Sequence, residues 1–261
     1  MKFVIFGDES TLGNMLNILG YSVQLAVVAS NRPQAFKTLA NNKEVNKKLF
    51  VHPSRNSKEY LTFLAKLKAS KPDYFFCFSY SMILHQKILD IPLFGAINFH
   101  GGLLPEFRRA NIYNWVLIED AKESGMTAHF MTPGIDDGDI IFQKKIPILE
   151  NDTANTLKDK IDPIGFEMLR EIKTYLDQGK GLPSTPQDES KSRYYKRRRP
   201  ENGLIDWEKS DREIFNLVRA LVSPWPGAFF YNKQGEKIIL SRYHTIEEIQ
   251  KLRVKSLIRK S

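Results

Sequence analysis

The chain has 261 residues, 42% of them hydrophobic, with 13 prolines and 15 glycines, so it holds enough apolar material for one large domain or a domain with a small appendage. No stretch approaches the 18 or more uninterrupted apolar residues of a membrane span, and a single cysteine, Cys77, excludes an internal disulfide and reads as a small core residue. The net charge of +9 fits a nucleic acid, an anionic lipid surface or a phosphorylated small molecule, and so selects none of them.

The first hundred residues alternate apolar runs with helical patterns, as βαβ units do. Strands are predicted at Lys2–Phe6, Ser22–Ala29, Lys48–Val51, Tyr74–Phe78 and Gly95–Phe99, with helices at Thr11–Leu19, Pro33–Asn41 and Ser57–Ala69. The N-terminal run reaches Asp8 too soon for a signal peptide and reads as a buried strand. A helix at about Asn111–Glu123 and strands at Thr127–Met131 and Asp139–Ile148 complete a Rossmann-like, mostly parallel sheet with helices on both faces. In Thr153–Leu176, Leu157, Ile161, Ile164, Met168, Leu169, Ile172 and Leu176 fall on one helical face, which Pro163 is expected to kink or interrupt. Gly179–Gln187 carries two glycines and two prolines and reads as a linker. It divides a catalytic domain, 1–180, from a small β-containing unit, 181–261, with a helix at Asp211–Val222 and strands at Ala228–Tyr231 and Lys237–Ser241. Five Lys/Arg lie between Arg193 and Arg199, and five more from Lys251 onward; such runs read first as solvated faces.

After the first strand the chain reads Gly7-Asp8-Glu9-Ser10-Thr11-Leu12-Gly13, which is not the G-x-G-x-x-G dinucleotide fingerprint. The strand at Gly95–Phe99 runs into Asn98-Phe99-His100-Gly101-Gly102-Leu103-Leu104-Pro105. In an extended chain Asn98 and His100 face the same side, and the glycines allow close approach of a ligand. Taken alone, that histidine is as readily a satisfied structural residue as a catalyst. Thr132-Pro133-Gly134-Ile135-Asp136-Asp137-Gly138-Asp139 lacks the spacing of an EF-hand and, alone, reads as an acidic turn or as a site.

Together the two clusters resemble the 10-formyltetrahydrofolate-dependent formyltransferases, whose Asn-x-His strand end, Leu-Leu-Pro element and loop aspartate 38 positions beyond the asparagine are matched by Asn98, His100 and Asp136. Asn114-Trp115, Thr127-Ala128-His129 and Pro224-Trp225-Pro226-Gly227-Ala228 extend the similarity, and Tyr194–Trp207 resembles the sugar-modifying branch, UDP-4-amino-arabinose formyltransferase in particular. The resemblance implies Asn98 as donor to a developing oxyanion, His100 as proton acceptor and Asp136 as the imidazole's hydrogen-bonded partner. It implies a formyl donor, 10-formyltetrahydrofolate, held by Met82, Ile83, Leu84 and by Thr132, Pro133, Gly134, Ile135 and Asp136, with no metal. Arg108, Arg197 and Arg198 are the expected contacts to an acceptor's diphosphate.

The implied acceptor is a nucleotide-linked amino sugar, with dTDP-4-amino-4,6-dideoxyglucose preferred over the 3-amino isomer, in O-antigen or other surface polysaccharide synthesis. The implied protein is cytoplasmic and homodimeric, with neither nucleic acid nor membrane as partner. The alternatives are a methionyl-tRNA formyltransferase and a catalytically silent folate-binding protein. One departure stands out: where sugar-modifying relatives carry Arg-Gly-Arg, this chain has Arg108-Arg109-Ala110, placing an arginine at the glycine and an alanine at the second arginine.

Overall fold

A computed structural model describes residues 1–257, with side chains to 254. The apolar runs form β1 (Phe3–Gly7), β2 (Val23–Ala29), β3 (Leu49–His52), β4 (Tyr74–Phe78) and β5 (Ala96–His100). Between them lie α1 (Leu12–Leu19), α2 (Pro33–Ala40), α3 (Lys43–Asn46), α4 (Glu59–Ala69) and α5 (Gln86–Leu89). β6 (Arg108–Arg109), α6 (Ile112–Ile118), β7 (Glu123–Phe130), β8 (Ile140–Pro147) and α7 (Ala154–Asp177) follow. The rest comprises β9 (Tyr194–Tyr195), α8 (Asp211–Ala220), β10 (Ala228–Tyr231), β11 (Lys237–Leu240) and α9 (Ile246–Leu257).

Seven strands make one sheet in the order β3-β2-β1-β4-β5-β7-β8. β1 to β5 are mutually parallel, and β7 joins β5 antiparallel. Every residue of β1 and β4 is buried, which is why these strands read as continuous apolar runs rather than alternations. Phe6 meets Phe75 edge to face, and Cys77 is buried in the same core, where loss of solvation pushes its thiol pKa up. It is an inert packing residue.

The chain divides into two compact units, each discontinuous in sequence. The first comprises Met1–His100, Met126–Lys144 and Pro163–Ser190; the second comprises Gly101–Gly125, Lys145–Asp162 and the described part of Lys191–Ser261. In the second, α6 packs on α8, and the Asn114 amide donates to the Ala220 carbonyl at 2.5 Å. α8 starts at a reciprocal cap: Ser210 accepts from the Glu213 backbone and Glu213 accepts from the Ser210 backbone at 2.9 Å. Of the basic stretch from Lys251, Arg253 pairs with Asp211 at 3.0 Å, while Lys255, Arg259 and Lys260 lie outside the described side chains.

Three expectations change. α6 ends at Ile118 rather than near Glu123, because Asp120 takes a φ of +50°, which no helix continues, and Glu123 already opens β7. α7 is helical straight through Pro163, whose fixed φ suits a helix even though its nitrogen donates nothing. The stretch 179–187 is no free linker. Thr185 exchanges backbone hydrogen bonds with Ile140 at 2.8 and 3.0 Å, and the Gln187 amide donates to the carbonyls of Asp136 and Gly138 at 2.9 and 2.7 Å.

Candidate active site

Asn98 and His100 lie near the carboxyl end of β5, where ligands of open parallel sheets bind. The antiparallel pairing of β7 sets His129 directly opposite Asn98 and Thr127 opposite His100. His129 is buried, and its Nδ1 lies 2.8 Å from the Phe130 carbonyl, so that nitrogen carries the proton. Nε2 is then the acceptor, and the Asn98 Nδ2 amine donates to it at 3.1 Å. This orients the Asn98 amide. An NH₂ group has two hydrogens; one serves His129 and the second is the donor the oxyanion role requires.

Asp136 lies in the loop between β7 and β8 with a φ of +55°, a conformation that aspartate tolerates better than most residues. Its carboxylate is 3.7 Å from His100 Nδ1 and 3.6 Å from His129 Nε2. Both separations exceed a hydrogen bond, so the direct hydrogen bond expected between Asp136 and His100 is not seen. The carboxylate lies instead between two imidazoles, whose rings are 6.4 Å apart and nearly perpendicular.

Asp137 and Asp139 are engaged elsewhere, Asp137 with the Thr132 hydroxyl and Asp139 with Ser184 at 2.6 Å. The backbone requires Gly138, since a Cβ there would stand 2.0 Å from the Phe130 carbonyl oxygen. Asp136 is thus the loop acid that faces the histidines. His129, which spacing alone did not single out as a site residue, joins the cluster through strand register.

The residues expected around the folate share the first unit. Leu84 is buried in the core, Met82 is half-buried, and Ile83 and Ile135 are exposed, so two apolar side chains are available to a flat ring. Thr132 caps its own loop, accepting the Gly134 amide at 3.0 Å. A separate cavity of about 660 Å³ lies beyond β2 and β3, among Phe36, Phe50, Phe63, Ser57 and Glu59; no Lys or Arg lines it, which disfavours a diphosphate. Among the described residues no cluster of His, Cys, Asp and Glu could hold a metal ion. No described helix is long and apolar enough to cross a membrane.

The three expected diphosphate arginines fall in the second unit and differ in exposure. Arg108 is fully buried and donates to the Tyr194 hydroxyl at 2.6 Å. Arg198 lies 4.9 Å over the Trp115 ring, and burial lowers its pKa. Arg197 is exposed. The basic segment is anchored rather than loose: β9 pairs parallel with β6, the Trp115 indole donates to the Lys196 carbonyl at 2.9 Å, and the Arg198 backbone donates to Asn111 at 3.0 Å. Arg198 and Arg199 also line a cavity of about 120 Å³ with Asn114, Trp225 and Pro226.

The family described as formyl transferase matches residues 1–172, and the formyl transferase C-terminal domain matches residues 198–253. The chain belongs to the formyl transferase family. Among solved structures, this formyl transferase is similar to a 4-N formyltransferase from Francisella tularensis, with 21% identity over 92% of this chain and 96% of that one and a TM-score of 0.76. It is similar to an N-formyltransferase from Helicobacter canadensis, solved in complex with folinic acid and dTDP-3-aminofucose, with 21% identity over 85% of this chain and 81% of that one and a TM-score of 0.62. A glycinamide ribonucleotide transformylase from Symbiobacterium toebii shares 24% identity, covering 72% of this chain and 93% of that one, at a TM-score of 0.59. At these identities the likeness concerns the fold.

Proposed function

We propose that this formyl transferase moves the formyl group of 10-formyltetrahydrofolate onto the amine of a nucleotide-linked amino sugar. The preferred acceptor is dTDP-4-amino-4,6-dideoxyglucose, in O-antigen or other surface polysaccharide synthesis. The enzyme acts in the cytoplasm as a homodimer, with residues 1–180 as catalytic domain and 181–261 as appended domain. The observation that carries the reading is the Asp136 carboxylate set between His100 and His129, with Asn98 oriented by His129.

In the reaction the acceptor amine attacks the formyl carbon, a C–N bond forms, and negative charge gathers on the formyl oxygen. The second hydrogen of the Asn98 amide stabilises that oxygen, a contribution that grows as the charge develops. His100 takes the proton from the now cationic amine and delivers it to the folate nitrogen as the old C–N bond breaks. Asp136 favours the protonated imidazole in between, acting across 3.7 Å as an opposite charge. Ile83 and Ile135, apolar and exposed, suit the walls of a pterin site.

The F. tularensis protein is described as a 4-N formyltransferase and the H. canadensis protein was solved with a dTDP-amino sugar, which supports a nucleotide-sugar acceptor. Their similarity extends over 92% and 85% of this chain, whereas that of the ribonucleotide transformylase covers 72%. The exposed cations near Arg197 favour one second reading, methionyl-tRNA formylation.

The test is mass spectrometry after incubation with 10-formyltetrahydrofolate and a panel of dTDP- and UDP-linked 3- and 4-amino sugars, with methionyl-tRNA alongside. A sugar that gains a formyl group supports the proposal. Formylation of methionyl-tRNA alone replaces it with the second reading, and no product at all leaves a silent folate-binding protein.

A further inference from the structure

Two non-glycine residues in the loop after the Leu-Leu-Pro element have left-handed backbones, Arg109 with φ +84° and Asn111 with φ +61°. Asparagine adopts this region readily, and here its side-chain oxygen also accepts the Arg198 backbone N–H at 3.0 Å. Arginine gains nothing from it: its Cβ crowds the backbone, and glycine would hold the same turn without strain. This is the position at which the sugar-modifying pattern has glycine. The backbone geometry of a glycine has therefore been kept while an arginine occupies the site.

Strain of this kind is a pointer to function when the residue's surroundings give its side chain a task. Arg108 and Arg109 are consecutive residues of β6, and consecutive strand residues point to opposite sides. Arg108 points inward and is fully buried, while Arg109 is exposed. Across the β6–β9 pair Arg109 stands opposite Tyr195, the residue that leads into Lys196-Arg197-Arg198-Arg199. Arg109 thus stands beside the exposed start of the cationic segment, while the next position, an arginine in the sugar-modifying pattern, is Ala110.

We propose that Arg109 is a specificity-determining contact to the acceptor's diphosphate, supplying from the glycine position the guanidinium that Ala110 lacks. The inference rests on the nucleotide-sugar reading. A planar guanidinium can pair with two phosphate oxygens at once, which compensates for a backbone conformation that a purely structural residue would not favour.

The signature is a trade between stability and binding, read on the full chain with Arg109→Gly and Arg109→Lys. Arg109→Gly relieves the strain and raises Tm by roughly 2–4 °C, while its affinity for dTDP falls by about 10- to 100-fold. Thymidine, which has no phosphate, binds both proteins equally weakly. Arg109→Lys keeps the charge but not the fork, and falls between the two in dTDP affinity. If Arg109→Gly binds dTDP as tightly as the parent, the assignment is overturned. So too if Tm falls, because the arginine is then retained for contacts within the chain. If the parent itself binds neither dTDP nor UDP, the nucleotide-sugar reading fails before the variant is consulted, and the two failures are told apart.

Discussion

Arg219 in the second unit and Asp136 in the first are both charged groups drawn away from water, yet their surroundings follow different plans. Arg219 is buried; its Nε donates to Asn216 at 2.9 Å, and one terminal nitrogen donates to the carbonyls of Leu149 and Glu150 at 3.0 and 3.2 Å. These are short, directional bonds, largely to backbone, that tie α8 to the segment leading into α7. Asp136 stands 3.6 and 3.7 Å from two imidazoles. Burial of a charge is common to both. What separates scaffold from candidate site is whether short bonds to the fold surround the group, or whether it stands beside titratable neighbours at distances that a change of protonation can alter.

The largest effect that tests this contrast is on turnover. His100→Asn is expected to lower the formylation rate by roughly 10²- to 10⁴-fold while leaving Tm and dTDP affinity close to the parent's. Near-parental turnover would end the distinction between the clusters.

Arg219→Met should show the opposite profile. Orphaning several buried acceptors costs roughly 3 kcal/mol of stability, measured by urea unfolding, while activity per folded molecule is retained. An unchanged unfolding midpoint would mean that the short bonds contribute nothing and that the comparison is empty.

A third buried polar group sharpens the contrast through pH. His52 is stacked 4.5 Å from Phe63, and its Nδ1 accepts from the Tyr80 hydroxyl at 2.7 Å. Burial first, and His85 second, lower its pKa from 6.5 to about 4. Between those values the unfolded chain binds a proton that the fold refuses, so stability must fall as pH drops from 6.5 towards 4, by roughly 3 kcal/mol at the lower end. His52→Phe should flatten that part of the stability–pH curve; an equal slope in the variant would remove His52 as its source.

The smallest effects are expected at the exposed end of the basic segment. Arg197→Ala should weaken dTDP binding only a few-fold, in keeping with the 0–1 kcal/mol typical of solvated ion pairs. Arg198, stacked on Trp115, should cost more, in part by loosening β9. Equal losses at the two would show that burial does not grade this surface.

Much of the sheet could be read in advance because β1, β2 and β4 are apolar on both faces and leave no competing pattern. The end of α6 could not, since Asp120-Ala121-Lys122-Glu123 has ordinary helix-forming composition and only the left-handed Asp120 stops it. β6 and β9 are two residues each, too short for any periodicity to register. At the site, Asn98 and His100 follow from strand alternation and Asp136 from family resemblance. His129 needs the pairing of β7 on β5, which no local pattern encodes. Gln187 was hidden within a Pro/Gly-rich stretch whose composition says turn and whose side-chain bonds say anchor.

That anchor has a consequence for how the molecule is made. Asn98 awaits His129, which arrives with β7, and the Asp136 loop awaits Gln187, beyond the end of α7. A chain emerging from the ribosome therefore exposes β1 to β5 well before the last piece of the polar cluster has been synthesised. Long-range pairings of this kind close late because the entropy of the intervening loop must first be overcome. The parallel strands should gain hydrogen-exchange protection early in refolding, and the Asp136 loop last. A nascent chain halted before Gln187 would hold most of the sheet and an unfinished site.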